Sequence, residues 1–428
     1  MRDFNVKDSL SKIKLSVKNN KTVVENYIFM TVFQILNSFF YILIYPYLIR
    51  VLGPANYGIY VVGVNIATYF QTIITFGFDF PALKEVSLSH DKPSEISKTF
   101  SVVFYAKLLL FLLSLIVFSA IIFSVPRLLE NGLIYFLCFL NIFSFVLYPQ
   151  WYFQGLQRMK IVTIVQLIFK VLSLPFIFIF VKEKENILIF TAITVIFNLL
   201  SSLYLFYIIL YKDKVSVVRP TIEQIKKWIK MSSPFFASNS VNAIKHQSTT
   251  TLIAIFFSTK DVALYDLALK VFQVPTLITS NINGAIFPKI VGNANYSLVK
   301  KIVRYETLIG IFIVLFLLFF GKPIITLLGG ANMLDAYPLL VAISFSVFTI
   351  LTVGAIMSFV FVPHGLYKMV AYNQTIAFIG YSAFIICGLF LFKSIVVMPL
   401  AVTFSSFLEI GFTFYILNKY RKKLYKNE

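Results

Sequence analysis

Residues 100–124 read FSVVFYAKLLLFLLSLIVFSAIIFS, and Lys107 is the one charged residue among these 25. Wound as an α-helix at 1.5 Å per residue, the run is about 37 Å long and exceeds the ~30 Å of hydrocarbon in a bilayer. It reads as a membrane-spanning helix. The same reading extends outward, because the 428 residues are 59% hydrophobic, 17% aromatic and only 13% charged, with a mean hydropathy of +0.84. Soluble domains carry about a quarter charged residues. A soluble enzyme, a disordered tail and a secreted disulfide scaffold are therefore excluded.

Runs of about 20 apolar residues recur twelve times, near 23–49, 57–78, 100–124, 132–150, 161–181, 187–211, 231–257, 264–288, 303–321, 335–362, 369–391 and 396–418. The first is too long for a cleaved signal peptide, and no small-residue cleavage site follows it. The expected fold is an all-α polytopic membrane protein. Its parts are an amphipathic N-terminus (1–22), a six-helix bundle (23–211), an amphipathic linker (212–230), a second six-helix bundle (231–418) and a basic tail (419–428). An offset of 205 places Gln34 on Asn239, Asn37 on Asn242 and Tyr41 on His246. An even number of spans per half implies a parallel repeat about a pseudo-two-fold axis along the membrane normal, with the substrate site at the repeat interface.

The net charge of +20 must be located before it is interpreted. Short loops on one side of the predicted topology collect 27 Lys and Arg, the other side 7, and 4 lie within spans. Basic loops stay inside, so both termini are expected on the cytoplasmic side of the membrane. The charge reports topology, not a nucleic-acid partner. In 221–230, Thr221 and Gln224 have capping-box spacing. Ile222, Ile225 and Ile229 share one face opposite Lys226, Lys227 and Lys230, which reads as a helix resting on anionic lipid. Residues 6–21 repeat the pattern more weakly.

Polar stripes mark one face of several spans: Gln34, Asn37, Tyr41 and Tyr45 in the first, Asn65, Tyr69, Thr72 and Asp79 in the second, Thr163, Gln166, Lys170 and Ser173 in the fifth, and Asn239, Asn242, His246 and Thr249 in the seventh. Such faces meet protein or water, not lipid. A wet cavity and interhelical hydrogen bonding both satisfy that requirement. Lys170, Lys245 and His246 sit centrally, where a charge costs at least ~2.5–3.5 kcal/mol on insertion scales, so a cavity lining or a buried partner is required. Lys107 lies about two turns from its span end, within reach of snorkelling. Asp266 and Lys270 are i, i+4, the spacing of an intrahelical ion pair or a gate. Glu409 is central in the twelfth span, as a neutral acid or a protonation switch. Asp79, with Lys84 and Glu85, closes the second span. Pro46, Pro175 and Pro275 remove backbone hydrogen bonds and permit kinks.

Catalytic and metal chemistry find no foothold in these patterns. Cys138 and Cys387 lie in apolar runs, three histidines are scattered, and neither a phosphate loop nor an H-E-x-x-H pair occurs. No cofactor is expected, and ATP hydrolysis is not expected of this chain.

Five segments in order carry a family resemblance: PYLIRVLGPANYGIY (46–60), FGFDFPALKEV (76–86), WYFQGLQRMK (151–160), SPFFASN (233–239) and ALYDLALKVFQVP (263–275). They resemble the Wzx-type O-antigen and polysaccharide flippases of the multidrug, oligosaccharidyl-lipid and polysaccharide exporter superfamily, with Ala263 where Gly is usual. The resemblance implies two six-helix bundles around a V-shaped cavity that opens alternately to each side. It implies an undecaprenyl-pyrophosphate-linked oligosaccharide as cargo, H⁺ or Na⁺ as the coupling ion, and polysaccharide polymerase and chain-length machinery as partners. Lys170, Lys245 and Lys270 correspond to cationic cavity residues, and Asp79 and Asp266 to flanking acids. Lys107, His246, Gln34, Asn37, Asn239 and Asn242 complete the expected substrate-binding set, and Asp79, Asp266 and Glu409 the coupling or gating set. A related exporter of small cations is the first alternative. A membrane glycosyltransferase or polymerase is the second, disfavoured because every outer loop is about a dozen residues or fewer.

Overall fold

The computed structural model describes residues 21–89, 92–290, 296–361, 363–364 and 366–424. Regular structure among them is entirely helical. Nine helices are long and apolar enough to cross a membrane among the described residues. One of these, Phe29–Thr75, covers the first two predicted spans. It belongs to α1 (Lys21–Thr75), whose helical geometry breaks at Gly53 (φ 76°, ψ 160°) just before Pro54. Glycine supplies the left-handed φ, and proline opens the next helical segment.

The following elements are α2 (Asp79–Leu88), α3 (Pro93–Ser124), α4 (Gly132–Gly155, broken at Pro149), α5 (Met159–Phe180) and α6 (Ile187–Tyr207). Then come α7 (Ile222–Phe256), α8 (Thr259–Ile290), α9 (Tyr296–Gly329), α10 (Ala336–Phe361), α11 (Tyr367–Phe392) and α12 (Val397–Leu424). The predicted seventh and eighth spans fall on α7 and α8.

Several boundaries follow from proline chemistry. The residue before proline is pushed out of the α region. Val125 (φ −114°, ψ 102°) ends α3 before Pro126, and Tyr148 (φ −108°, ψ 97°) interrupts α4 before Pro149. Pro175, by contrast, lies within α5 without breaking it, and in α1 the break falls at Gly53 and not at Pro46.

Two compact units emerge from the contacts: residues 1–39 with 63–247, and residues 40–62 with 248–428. The core of the first is aromatic, built from Phe78, Phe100, Trp151, Tyr152 and Phe153 with Val162 and Leu205. In the second, Ile356, Phe359, Val360 and Phe361 pack on Ile416 and Leu417. Large apolar side chains also cover the outside of the spans, among them Ile116, Phe123, Phe319 and Phe390. Water does not tolerate such a belt, whereas lipid does.

The linker reading is corrected in part. Thr221 and Gln224 do form the capping box: the Thr221 amide donates to Gln224 Oε1 at 2.9 Å and the Gln224 amide to Thr221 Oγ1 at 3.3 Å. The apolar face, however, does not simply rest on lipid. Ile225 and Ile229, joined by Trp228, pack against the aromatic core of the first unit, and only Ile222 remains strongly exposed. Burying the face on protein removes the apolar area from water equally well. Residues 1–20 lie outside the described residues, so the N-terminal amphipathic segment does too.

Candidate functional site

In the first unit, Lys170 stands at the middle of α5 and donates a hydrogen bond to Asn37 Oδ1 on α1. Both side chains are half-buried. Of its neighbours in the stripe, Thr163 Oγ1 lies 3.0 Å from the Met159 carbonyl on its own helix and 3.2 Å from the Phe29 carbonyl on α1, and Ser173 Oγ donates to the Lys170 carbonyl at 2.6 Å. Lys170 and Thr163 thus both reach α1, while the Ser173 hydroxyl is satisfied on its own helix. Gln34 is exposed one turn from Asn37.

Lys107 does not reach for the interface. Its side chain is 4% exposed and its ammonium lies 3.0 Å from Asp79 Oδ1 on α2. Here the cost of burying the lysine is offset by a carboxylate 28 residues away in sequence. Within the same unit, the Tyr148 hydroxyl and the Trp151 indole N–H are buried with no hydrogen-bond partner among the described residues.

Sequence spacing joins Asp266 and Lys270 on α8, and the structure adds what spacing could not show. The two form an ion pair, and the Tyr57 hydroxyl bridges them, accepting from Lys270 Nζ at 2.9 Å and donating to Asp266 Oδ2 at 3.3 Å. The ammonium also sits 5.2 Å from the ring centroid of Tyr45 and 5.4 Å from that of Tyr57. Tyr45 donates to the Ala263 carbonyl at 3.3 Å, and its ring meets Tyr57 edge-on at 5.2 Å. Such a cation over aromatic faces contributes ~0.5–2 kcal/mol, more as water is excluded. Gly58 permits the close approach, since a Cβ there would collide with the Thr259 carbonyl. Residues 45–58 of α1 are thereby fastened to the start of α8, all within the second unit.

Glu409, 3% exposed on α12, meets two amides from α11: Asn373 Nδ2 and Gln374 Nε2 each lie 3.4 Å from Oε2. Thr413 Oγ1 donates to Asn373 Oδ1, also at 3.4 Å. On α7, Asn239 is half-buried and His246 exposed. Asn242 and Lys245 belong to the same helix, but their side chains lie outside the described residues. Further along, Thr249 and Ser248 meet the Tyr381 hydroxyl at 2.7 and 3.1 Å, the interhelical bonding that the stripe also allowed.

Known proteins place this arrangement. Residues 23–294 match the family of polysaccharide biosynthesis proteins. The chain belongs to that family. Two curated relatives are named "Putative O-antigen transporter". One, from Escherichia coli (strain K12), is 23% identical over 287 residues, covering 67% of this chain and 69% of its own. The other, from Shigella dysenteriae, is 23% identical over 300 residues, with 69% and 74% covered. Among solved structures, an inward-facing multidrug resistance MATE family transporter of the MOP superfamily is similar with a TM-score of 0.65 at 11% identity, covering 91% of this chain and 96% of that one. A eukaryotic MATE transporter gives 0.57 at 13% identity, with 96% and 99% covered. The fold is that of these exporters, and the apolar helices make this family member a multi-pass membrane protein.

Missed by sequence reasoning were the Tyr57 bridge, the Asp79–Lys107 pair and the amides on Glu409. The polar residues themselves were visible in the spans; their partners lie 28 to 213 residues away.

Proposed function

We propose that this transporter flips an undecaprenyl-pyrophosphate-linked oligosaccharide, an O-antigen or similar repeat unit, from the cytoplasmic to the periplasmic leaflet of a bacterial inner membrane by alternating access. The observation that carries the reading is Lys170, a cation at the middle of a spanning helix, held by Asn37. A lipid pyrophosphate is too costly to pass bare through hydrocarbon. A central ammonium neutralises part of its charge, with Lys245 proposed as its counterpart on α7. Amides and tyrosines suit the sugar hydroxyls, and the polyprenyl tail stays in lipid. About two negative charges leaving a negative interior gain ~2.3 kcal/mol each per 100 mV, so the membrane potential favours export.

H⁺ or Na⁺ coupling is assigned first to Glu409. Asp79 and Asp266 are each paired with a lysine, whereas Glu409 meets amide donors. Asp266 with Lys270 and Tyr57 is assigned to gating.

The second reading, export of small cations, draws on the MATE fold. Basic central residues weigh against a cationic cargo. Lipids extracted from a strain deleted for the gene separate the two. Complete polyprenyl-pyrophosphate repeat units trapped on the cytoplasmic leaflet, with surface polysaccharide lost, are expected for the flippase. Normal glycolipid with altered drug tolerance would favour the exporter. In the complemented strain, Lys170→Ala and Lys245→Ala should each impair export while the protein remains folded in the membrane. Full activity of both variants would sink the cationic-cavity assignment.

A further inference from the structure

A cavity of about 200 Å³ lies in the first unit away from Lys170, walled by Pro93, Ile96, Leu156 and Val215 and carrying Ser97, Tyr152, Arg158, Asp213 and Lys214. It sits among the loops that hold most of the lysines and arginines. Two chain reversals deliver its cations. After Gln150–Gly155, Gln157 turns left-handed (φ 54°) and the Arg158 amide bonds back to the Phe153 carbonyl at 2.7 Å. Past α6, the wide turn Ile208–Lys212 closes with Asp213 and Val215 amides on the Ile208 and Ile209 carbonyls at 3.0 and 3.1 Å, around a left-handed Lys214 (φ 56°). Glycine is the usual residue at such a helix end, because a Cβ is strained there. At this turn the chain carries a lysine.

Asp213 does not cancel both cations. Its Oδ1 accepts from Arg158 at 2.7 Å and its Oδ2 from the Tyr152 hydroxyl at 2.9 Å, so the carboxylate orients the guanidinium. Guanidinium carries five N–H donors in a planar fork, suited to a second anion beside the first. Arg158 remains 36% exposed, and Lys214 is exposed and leaves the pocket with a net positive charge. The first turn of α3 supplies part of the wall, where the helix dipole is positive. The pocket is held firmly: the Ser216 amide donates to Ser97 Oγ at 3.2 Å and the Val218 amide to Ser101 Oγ at 2.9 Å. Of its nine lining residues four are apolar, four are cationic or hydroxylic and one is the Asp213 carboxylate already engaged by Arg158 and Tyr152, an amphipathic match for a lipid headgroup with its glycerol and first methylenes.

We propose that this pocket binds the phosphate diester of an anionic membrane phospholipid, with Arg158 and Lys214 on the phosphate oxygens and Pro93, Ile96 and Leu156 against the glyceryl end. The proposal is independent of the transported cargo. Phosphatidylglycerol and phosphatidylcholine serve as probes, each doped into detergent micelles of the purified full chain and followed by native mass spectrometry of the retained lipid. Wild type should retain phosphatidylglycerol in preference to phosphatidylcholine. Lys214→Gly should weaken that preference about fivefold, the weight of one lysine at an anionic surface. Because glycine relieves the left-handed turn, this variant should melt at the wild-type temperature or above, which separates lost binding from lost folding. Lys227→Gln, exposed on α7 outside the pocket, should keep the preference. Equal retention of the two lipids by wild type, or an undiminished preference in Lys214→Gly, would overturn the proposal. So would displacement of the lipid by millimolar inorganic phosphate with the same dependence on Lys214, since the ligand would then be a free anion.

Discussion

Two tyrosines show how differently one hydroxyl can weigh. Tyr57, 3% exposed, bridges Lys270 and Asp266, while Tyr148, 8% exposed, has its hydroxyl buried without a partner among the described residues. Replacing Tyr57 by Phe keeps the ring under the ammonium and deletes the bridge alone. A hydrogen bond to a charged group is worth about 1.5–3 kcal/mol, so Tyr57→Phe should lower thermal stability in detergent by roughly that amount. If Asp266 and Lys270 gate the transporter, the variant should also change the rate of export more than it changes its amount in the membrane. Tyr148→Phe should do the reverse. Removing an unpaired buried hydroxyl discards a desolvation cost, and stability should hold or rise by up to ~1 kcal/mol. A drop equal to that of Tyr57→Phe would mean that Tyr148 has a partner, such as a bound water reaching towards Asp79.

At the scale of elements, a demand on both backbone and space falls where α1 ends. Phe76 (φ 45°) and Gly77 (φ 68°) turn the chain into α2, and Phe76 stacks on Phe236 of α7 at 4.3 Å with planes 9° apart. Phe80 and Phe235 stack beside them at 5.5 Å. A Cβ at Gly77 would lie 2.7 Å from both the Phe235 Cβ and the Phe236 amide nitrogen. Gly77→Ala therefore combines left-handed strain of roughly 1–2 kcal/mol with an overpacking cost of roughly 1–3 kcal/mol. The expected result is a clear fall in melting temperature, and an unchanged one would show that α7 can draw back. How much of this was legible divides along chemical lines. Local rules read well: apolar runs gave the spans, and the Thr221–Gln224 box and the Asp266–Lys270 pair followed from spacings of three and four. Partners fixed by packing did not. Nothing in spacing joins Lys107 to Asp79, Glu409 to Asn373, or the face of Ile225 and Ile229 to an aromatic core when a lipid surface would accept the same pattern. Pro175 permitted a kink, and α5 runs through it unbroken because neighbouring groups in a spanning helix can absorb a missing hydrogen bond.

Across the whole molecule, the charge distribution makes the boldest claim, since 27 of 38 basic residues fall on one side of the predicted topology and 7 on the other. Orientation responds to Lys and Arg in short loops near span ends, and every loop counted here is short. Both termini should therefore share the cytoplasmic side with the 212–230 linker, while Arg127, Lys182 and Lys260 lie on the opposite face. Fusions read this directly. A fluorescent protein after Glu428 should fluoresce, and alkaline phosphatase at the same place should be inactive. Phosphatase inserted after Val125 or Lys260 should be active. The assignment carries weight beyond topology, because the direction of transport, the sign of the voltage effect and the leaflet facing the Arg158–Lys214 pocket all depend on it. An inverted pattern would place that pocket against the opposite leaflet and turn the membrane potential from a help into an opposing force for an anionic cargo moving away from the basic side.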